Sequence, residues 1–325
     1  MSTVEEVPMK RVNVAMPTAL AEIGGMEGFF AFMRERHSVY LRRQAGQPRP
    51  WTDDPILHKY KFTNVFRELD RTTIWFRENI RDRYDDPSDP AKCLYAIAVF
   101  RWFNRIETGD ALFNKTDAFE QFARSHDVKY LREALMDVIG PKGPFVTGAH
   151  MVYAVPNMPL HEGVLHCIDR FVNDDGNESA FVAWDMAKNP GDFSIEWTWE
   201  WMTRSYFGLG SFLAYELATD MRHTHLLRGA RDIMSWANPG PGSTRGLNRV
   251  FSRPYTARPS REKLVEEMRF LLQHTKGDWA KEYNFWPNNE QFPELEMRDI
   301  EHSLCEYDKY LRVANGDGYP RGVYR

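Results

Sequence analysis

The chain has 325 residues, of which 42% are hydrophobic, 14% aromatic and 27% charged, which excludes a disordered, collagen-like or coiled-coil protein. It is about twice the ~150 residues of a usual domain, which predicts one large two-lobed domain or two packed ones. Forty-two Lys and Arg against 46 Asp and Glu leave a net charge of −4, so any site for a polyanion must be a local patch.

Cys93, Cys167 and Cys305 are far apart and odd in number, the pattern of reduced thiols and neither a disulfide framework nor a zinc knuckle. The N-terminal stretch MSTVEEVPMKRVNVAMP has no long apolar run, and no window reaches ~18 uninterrupted apolar residues. The expectation is a cytoplasmic protein, neither secreted nor membrane-spanning.

In chain order, the first helix is expected over Met26 to Arg43, where Phe29, Phe30, Met33 and His37 share a face. A second is expected over Phe62 to Ile80, with Asn64, Arg67 and Arg71 together on its polar face. Cys93 to Phe103 reads as a buried helix, and Gly140 to Pro144 as a turn. Phe145 to Val155 fits a strand or a helix. Helical periodicity returns at Leu160 to Phe171, Ser194 to Tyr206, Ser211 to Met221, Leu226 to Trp236, Ser260 to His274 and Glu294 to Val313. The reading is a mostly helical, two-lobed chain.

The motifs narrow the chemistry. There is no G-x-x-x-x-G-K-[ST], no G-x-G-x-x-G after a strand, no G-x-S-x-G and no H-E-x-x-H. His223 and His225 would point apart on a helix and read as structural or solvated, so no metal site is expected. Gly208 and Gly210 lie between two helical segments and make a tight hairpin, after which Ser211 opens a helix whose free N–H groups suit a phosphate. A glycine cap before a packed helix explains the same residues. Asn238 to Arg249 is a second glycine-rich stretch that puts Thr244 near a helix start and Arg245 and Arg249 on one face. From Met221 to Lys263 nine Lys or Arg meet two acids, an excess that calls for a polyanion or for a compensating acidic lobe. On the last helix Glu301, Cys305 and Asp308 share a face, as acid and base or as partners of the arginines.

The segments RPWTDDPILHKYKFTNVFRELDRTTIW, GPFVTGAHMV, GLGSFLAYELATDMRH, NPGPGSTRGLNR and EHSLCEYDKY, in that order between Arg49 and Arg312, resemble the alpha-glutamyl/putrescinyl thymine pyrophosphorylase family. That family is related to the helical domain found with hydroxymethyluracil DNA kinases. The resemblance implies a two-lobed helical fold like that of the DNA glycosylases, with a helix-hairpin-helix. It implies an N-terminal arm and helix over 1–48, a catalytic region over 49–313 and a tail over 314–325.

The implied activity is phage-type DNA hypermodification by an amino acid or polyamine:DNA transferase, in a host bacterial cytoplasm. Its substrate would be double-stranded DNA in which an upstream kinase has activated 5-hydroxymethyluracil as a phosphate or pyrophosphate ester. The co-substrate would be a free amino acid or polyamine, with a divalent metal compatible with the leaving group. Arg245 and Arg249, or Arg67 and Arg71, would meet the pyrophosphate. Glu306, Asp308 or Asp70 would take the amine's proton. Asn64, Gly208, Gly210, Ser211 and Thr244 would hold DNA, and Trp51, Tyr60 or Trp75 would stack on the extruded base. The stretch aligned with the glycosylase aspartate, Asn238 to Gly242, carries no carboxylate. A glycosylase acting on modified pyrimidines and a non-catalytic DNA-binding module that serves a kinase are the alternatives.

Overall fold

The computed structural model of the chain describes residues 15–148, 151–173, 176–276 and 294–324. Among them β pairing is confined to one isolated bridge, Tyr60 to Val323, and the fold is mostly helical. The α-helices are α1 (Ala19–Ile23), α2 (Gly25–Gln44), α3 (Pro55–Lys59), α4 (Arg71–Phe76), α5 (Asp82–Tyr84), α6 (Pro90–Phe103), α7 (Ile106–Gly109) and α8 (Ala118–Ser125). They continue with α9 (Lys129–Val138), α10 (Leu160–Asn173), α11 (Glu178–Lys188), α12 (Ile195–Ser205), α13 (Ser211–Met221), α14 (Pro241–Val250), α15 (Arg261–Gln273) and α16 (Met297–Ala314). No helix among the described residues is long and apolar enough to cross a membrane.

The chain forms two compact units. Unit 1 takes its described residues from Met1–Val65, Pro239–Leu295 and Asp299–Arg325, and unit 2 from Phe66–Asn238 and Glu296–Arg298. These divisions do not follow the boundaries expected after residues 48 and 313. The reason is packing: Phe29 and Phe32 of α2 lie 5.7 and 5.2 Å from the rings of Tyr307 and Tyr310 in α16. The tail is tied to the same unit by Lys61 N–H to the Gly322 carbonyl and Tyr324 N–H to that of Lys59.

Within unit 1, α14 and α16 cross closely. A Cβ on Gly242 would fall 2.3 Å from Cys305 Sγ, and one on Gly246 2.3 Å from the Leu304 carbonyl oxygen. The glycines of PGSTRG are therefore a helix contact, four residues apart on one face, and not only a turn. Ser243 and Thr244 both donate their hydroxyls to the Gly240 carbonyl, inside a helix that starts two residues earlier than Ser243.

Unit 2 is built on α6. Asp89 caps it, Pro90 fills its first position and Asn104 ends it in the left-handed region. It is buried on nearly every face, as a helix apolar all round must be, and packs against α10, α11 and α13.

Of the expected helices, one forms only over its second half, as α4 and the π-helical turn Arg77–Arg81 that follows it, and one does not form. Phe62 to Phe66 is non-helical, so Asn64 shares no helix face with Arg67 and Arg71, and α4 begins only at Arg71. The backbone is claimed by side chains instead: buried Arg36 donates to the carbonyls of Phe62 and Thr63, and Thr63 N–H donates to Glu306. Leu226 to Trp236 is a chain of turns, because Asp232 is drawn inward to accept the first N–H groups of α12. In the segment expected as strand or helix, the described residues of 145–155 are irregular, and α11 was not foreseen.

Replacing Gly246 by Ala forces α14 away from α16 and should cost about 1–3 kcal/mol, as overpacking does. Urea unfolding should show a lower midpoint with the same slope. An unchanged midpoint would mean that the helices do not touch there.

Candidate functional site

In unit 2 a short turn joins α12 to α13. The Ser194 hydroxyl and Asp232 together cap α12, and Tyr206 N–H closes its last turn. Gly208 turns the chain with φ of +79°, and a Cβ there would lie 2.4 Å from Cys167 Sγ, so only glycine fits. Gly210, with extended φ, opens α13 and faces free space. The Ser211 carbonyl and hydroxyl accept from Trp199 and Asn238, which brace this end of the helix. Exposed Phe207 and Phe212 flank the turn, with Arg170 5.4 Å over the Phe207 ring. A helix start of this kind, open to solvent, can take a phosphate oxygen.

In unit 1, the fully buried Asp308 accepts Arg249 Nε at 3.0 Å on one oxygen and Arg245 Nε at 2.9 Å on the other, where Arg312 Nε also approaches to 3.3 Å. Three guanidiniums against one carboxylate leave a net charge of +2. Tyr255 lies 4.9 Å below Arg249 and 5.8 Å below Arg245. The arrangement ties the arginines to one carboxylate while their side chains remain partly exposed. It also occupies both Asp308 oxygens with arginine ion pairs.

The other expected acids are engaged too. Glu306 accepts Thr63 N–H at 3.1 Å and Lys309 Nζ at 2.5 Å, and Asp70 is ion-paired with Arg67. Arg71 is exposed. Asn64 is buried, and its oxygen accepts Arg36 Nη2 at 2.6 Å. Tyr60 is buried, and Trp75 stacks 5.2 Å from Phe100 and covers Gly109, so both are packing residues where base stacking was expected. Trp51 is partly exposed beneath Arg43 and Arg49. It lines a cleft of ≈ 950 Å³ in unit 1 with Arg34, Glu35, Arg42, Asp53 and Asp54. Both signs of charge meet in this cleft, as an amino acid requires. Thr147 donates to the Asn104 carbonyl, and Ala149 lies outside the described residues.

Another carboxylate, read from the sequence as acid and base or as an arginine partner, also lies here. Glu301, buried in α16, puts Oε1 3.6 Å from where a Cβ of Gly240 would be, at the start of α14. Its other oxygen lies 3.2 Å from His302 Nδ1. The spacing with Asp308 on one face was the available signal, but Gly240 shows nothing of a neighbour in its own sequence.

Unit 2 also holds a buried charge network. Arg101 donates twice to Asp220, at 2.7 Å each, and to Glu216 at 3.2 Å. Burial would raise the Glu68 carboxyl, but the hydrogen bond from Arg81 and the charges of His223, Arg81 and Arg298 hold it down to about 2. Burial, aided by Arg298, Arg81 and Arg222 against the pull of Glu68, pushes His223 down to about 3. In unit 1, burial and then the Arg36 charge lower His37 to about 4.

The family model for the 5-hmdU DNA kinase helical domain matches residues 25–319. A curated relative, the 5-hmdU DNA kinase of Bacillus phage SP10, is 29% identical over 311 residues, which is 90% of this chain and 46% of the relative. The chain thus spans about half the length of the curated relative it matches. No solved structure gives a significant match.

Two measurements check these placements. Asp308→Asn should destabilise unit 1 by about 3–5 kcal/mol in chemical unfolding, because it strands three guanidiniums; a neutral result would mean that the cluster is solvated. The second is acid stability. His223 and His37 have an ordinary value of 6.5, so the unfolded chain binds their protons as pH falls through 6.5, whereas the folded chain does so only near 3 and 4. Stability should fall across that window, and the contribution of Glu68, present above 4.5, is lost toward about 2. His223→Gln should reduce proton uptake on unfolding between pH 6.5 and 3 by about one proton, and an identical profile would place His223 in solvent.

Proposed function

The chain belongs to the 5-hmdU DNA kinase helical-domain family, and on that premise we propose that it is a transferase of the alpha-glutamyl/putrescinyl thymine pyrophosphorylase type. Its substrate is double-stranded DNA whose 5-hydroxymethyluracil an upstream kinase has activated as a phosphate or pyrophosphate ester. The observation that carries this reading is the cluster of Arg245, Arg249 and Arg312 held in place by Asp308. Fixed donors with an excess of positive charge are what a departing pyrophosphate needs.

The reaction is a displacement at the methylene on C5 of the pyrimidine. The amine nitrogen of a free amino acid or polyamine forms the new C–N bond as the C–O bond breaks, and the electron pair leaves with the phosphate or pyrophosphate. Glu301 is the carboxylate that takes the amine's proton, since among the described residues its Oε1 has no ion pair with lysine or arginine of the kind that engages Glu306, Asp70 and Asp308. The mixed-charge cleft at Trp51, with Arg34 and Asp53, holds the free amine. The open start of α13 at Gly210 and Ser211, with Phe207 and Phe212 beside it, takes the DNA backbone, and the base is extruded to react.

A second reading is favoured by one observation. The chain aligns with 46% of a kinase and has no G-x-x-x-x-G-K-[ST], so this segment can be the DNA-binding part of a kinase system without chemistry of its own.

The test is mass spectrometry of nucleosides from kinase-treated 5-hydroxymethyluracil DNA incubated with the protein and a panel of amino acids and polyamines. A mass gain on the modified nucleoside with release of phosphate or pyrophosphate is expected, and Glu301→Gln should slow it about 10²-fold or more. DNA binding without any mass gain would establish the binding module instead, and abasic sites would establish a glycosylase. Replacing Arg245 and Arg249 together by Ala should weaken DNA binding and reduce the salt slope by about two. Gly210→Val should keep the fold, because a Cβ there meets nothing, and lose DNA affinity. Affinity unchanged in the first variant would remove DNA from the arginine cluster of unit 1, and affinity unchanged in the second would remove it from the start of α13 in unit 2.

A further inference from the structure

Three donor side chains from separate segments of unit 2 meet away from the residues used above. Asp85 follows α5, Cys93 lies in α6 and His225 sits in the turns after α13. A carboxylate oxygen, the thiol sulfur and a ring nitrogen all lie within 4.8 Å of one another. Cys93 is wholly buried, and the His225 side chain is 10% exposed. One Asp85 oxygen accepts both the His225 backbone N–H at 2.7 Å and Nδ1 at 2.6 Å, while Arg228 Nη2 donates to the other at 2.5 Å.

That bonding fixes the ring and leaves Nε2 of His225 buried with no hydrogen-bond partner among the described residues. A buried ring nitrogen without a partner is rare enough to call for one. The thiol beside it has no exposure, so no substrate reaches Cys93 and a nucleophilic role for this Cys, His and Asp grouping is excluded.

We propose that Asp85, Cys93 and His225 bind a divalent transition metal of the zinc class. A thiolate, an imidazole and a carboxylate together suit zinc and not magnesium or calcium, which take oxygen donors. Tetrahedral zinc, with Zn–S of about 2.3 Å and Zn–N and Zn–O of about 2.0 Å, keeps its donors roughly 3.3–3.6 Å apart. Binding exchanges the Asp85–His225 side-chain hydrogen bond for bonds to the metal, which frees the ring to turn, and the fourth position is left to water. Arg228 holds the carboxylate in orientation from its far side, the service that outer hydrogen bonds perform for metal ligands. The metal would staple the turns after α13 to the start of α6, joining segments that no backbone hydrogen bond described between them connects. This inference is independent of the transferase reading.

The experiment is a titration of the purified chain with Co²⁺ and then Zn²⁺, followed by absorption and by metal analysis. One equivalent should bind, with a thiolate-to-cobalt charge-transfer band that Zn²⁺ abolishes. Cys93→Ser should lose the band, and His225→Gln should weaken binding at least tenfold. The wild-type spectrum and the His225 variant decide the matter even if Cys93→Ser does not fold. Absence of the band in the wild type, or binding unchanged in His225→Gln, would overturn the site.

Discussion

A charge taken out of water must be met by another charge, and each unit of this protein is arranged around that requirement. In unit 2, Arg101 and Arg298 are sunk between α6, α13 and the start of α16, where Asp220, Glu216 and Glu68 face them. Burial opposes the charged form of both guanidiniums, and the acids raise them above their ordinary value all the same. In unit 1, Asp308 is the inverse case, one sunk acid with cations around it. Such pairs add little net stability compared with apolar packing, yet losing one partner is severe, so they fix which elements sit together.

How much of this was legible in the sequence depends on range. Helices whose apolar residues recur on one face, such as α2, α10 and α15, lie within a few residues of their expected bounds, and so does α13, which is buried all round from Leu213 to Met221. The capping of α15 by Ser260 was legible as well, since a cap is a contact over three residues. The segment Phe62 to Phe66 has helical spacing and is not a helix, because Arg36 and Glu306 take its backbone groups from far away in the chain. Leu226 to Trp236 fails for a similar reason, through Asp232. Periodicity reports which faces are apolar and is silent about a distant side chain that competes for a carbonyl.

The hairpin and the second glycine stretch look alike on paper and work differently. At Gly208 the backbone conformation and the Cys167 sulfur both demand glycine, and at Gly210 space alone is kept open. Gly242 and Gly246 instead let α14 sit on α16, which carries Asp308 up to Arg245 and Arg249. Glycines read as a ligand-binding turn thus serve the arginines indirectly, by setting the distance between two helices.

The cationic window from Met221 to Lys263 shows the same limit for charge. Most of its excess is answered by acids outside the window: Arg222 by Glu296, Arg228 by Asp85, Arg253 by Glu267, and Arg245 with Arg249 by Asp308. A compensating acidic partner was one of two explanations for the excess, and the structure supplies most of it internally. Around Asp308 a surplus remains, because two cations of the window and Arg312 from outside it share one acid. Neutralisation there is incomplete and two of the guanidiniums are held in place, since Nε of Arg245 and of Arg249 is hydrogen-bonded to the carboxylate. A diffuse basic face would attract any polyanion. A small surplus held in a fixed orientation is worth more where charge develops at one place during a reaction, because no further ordering is needed when it appears.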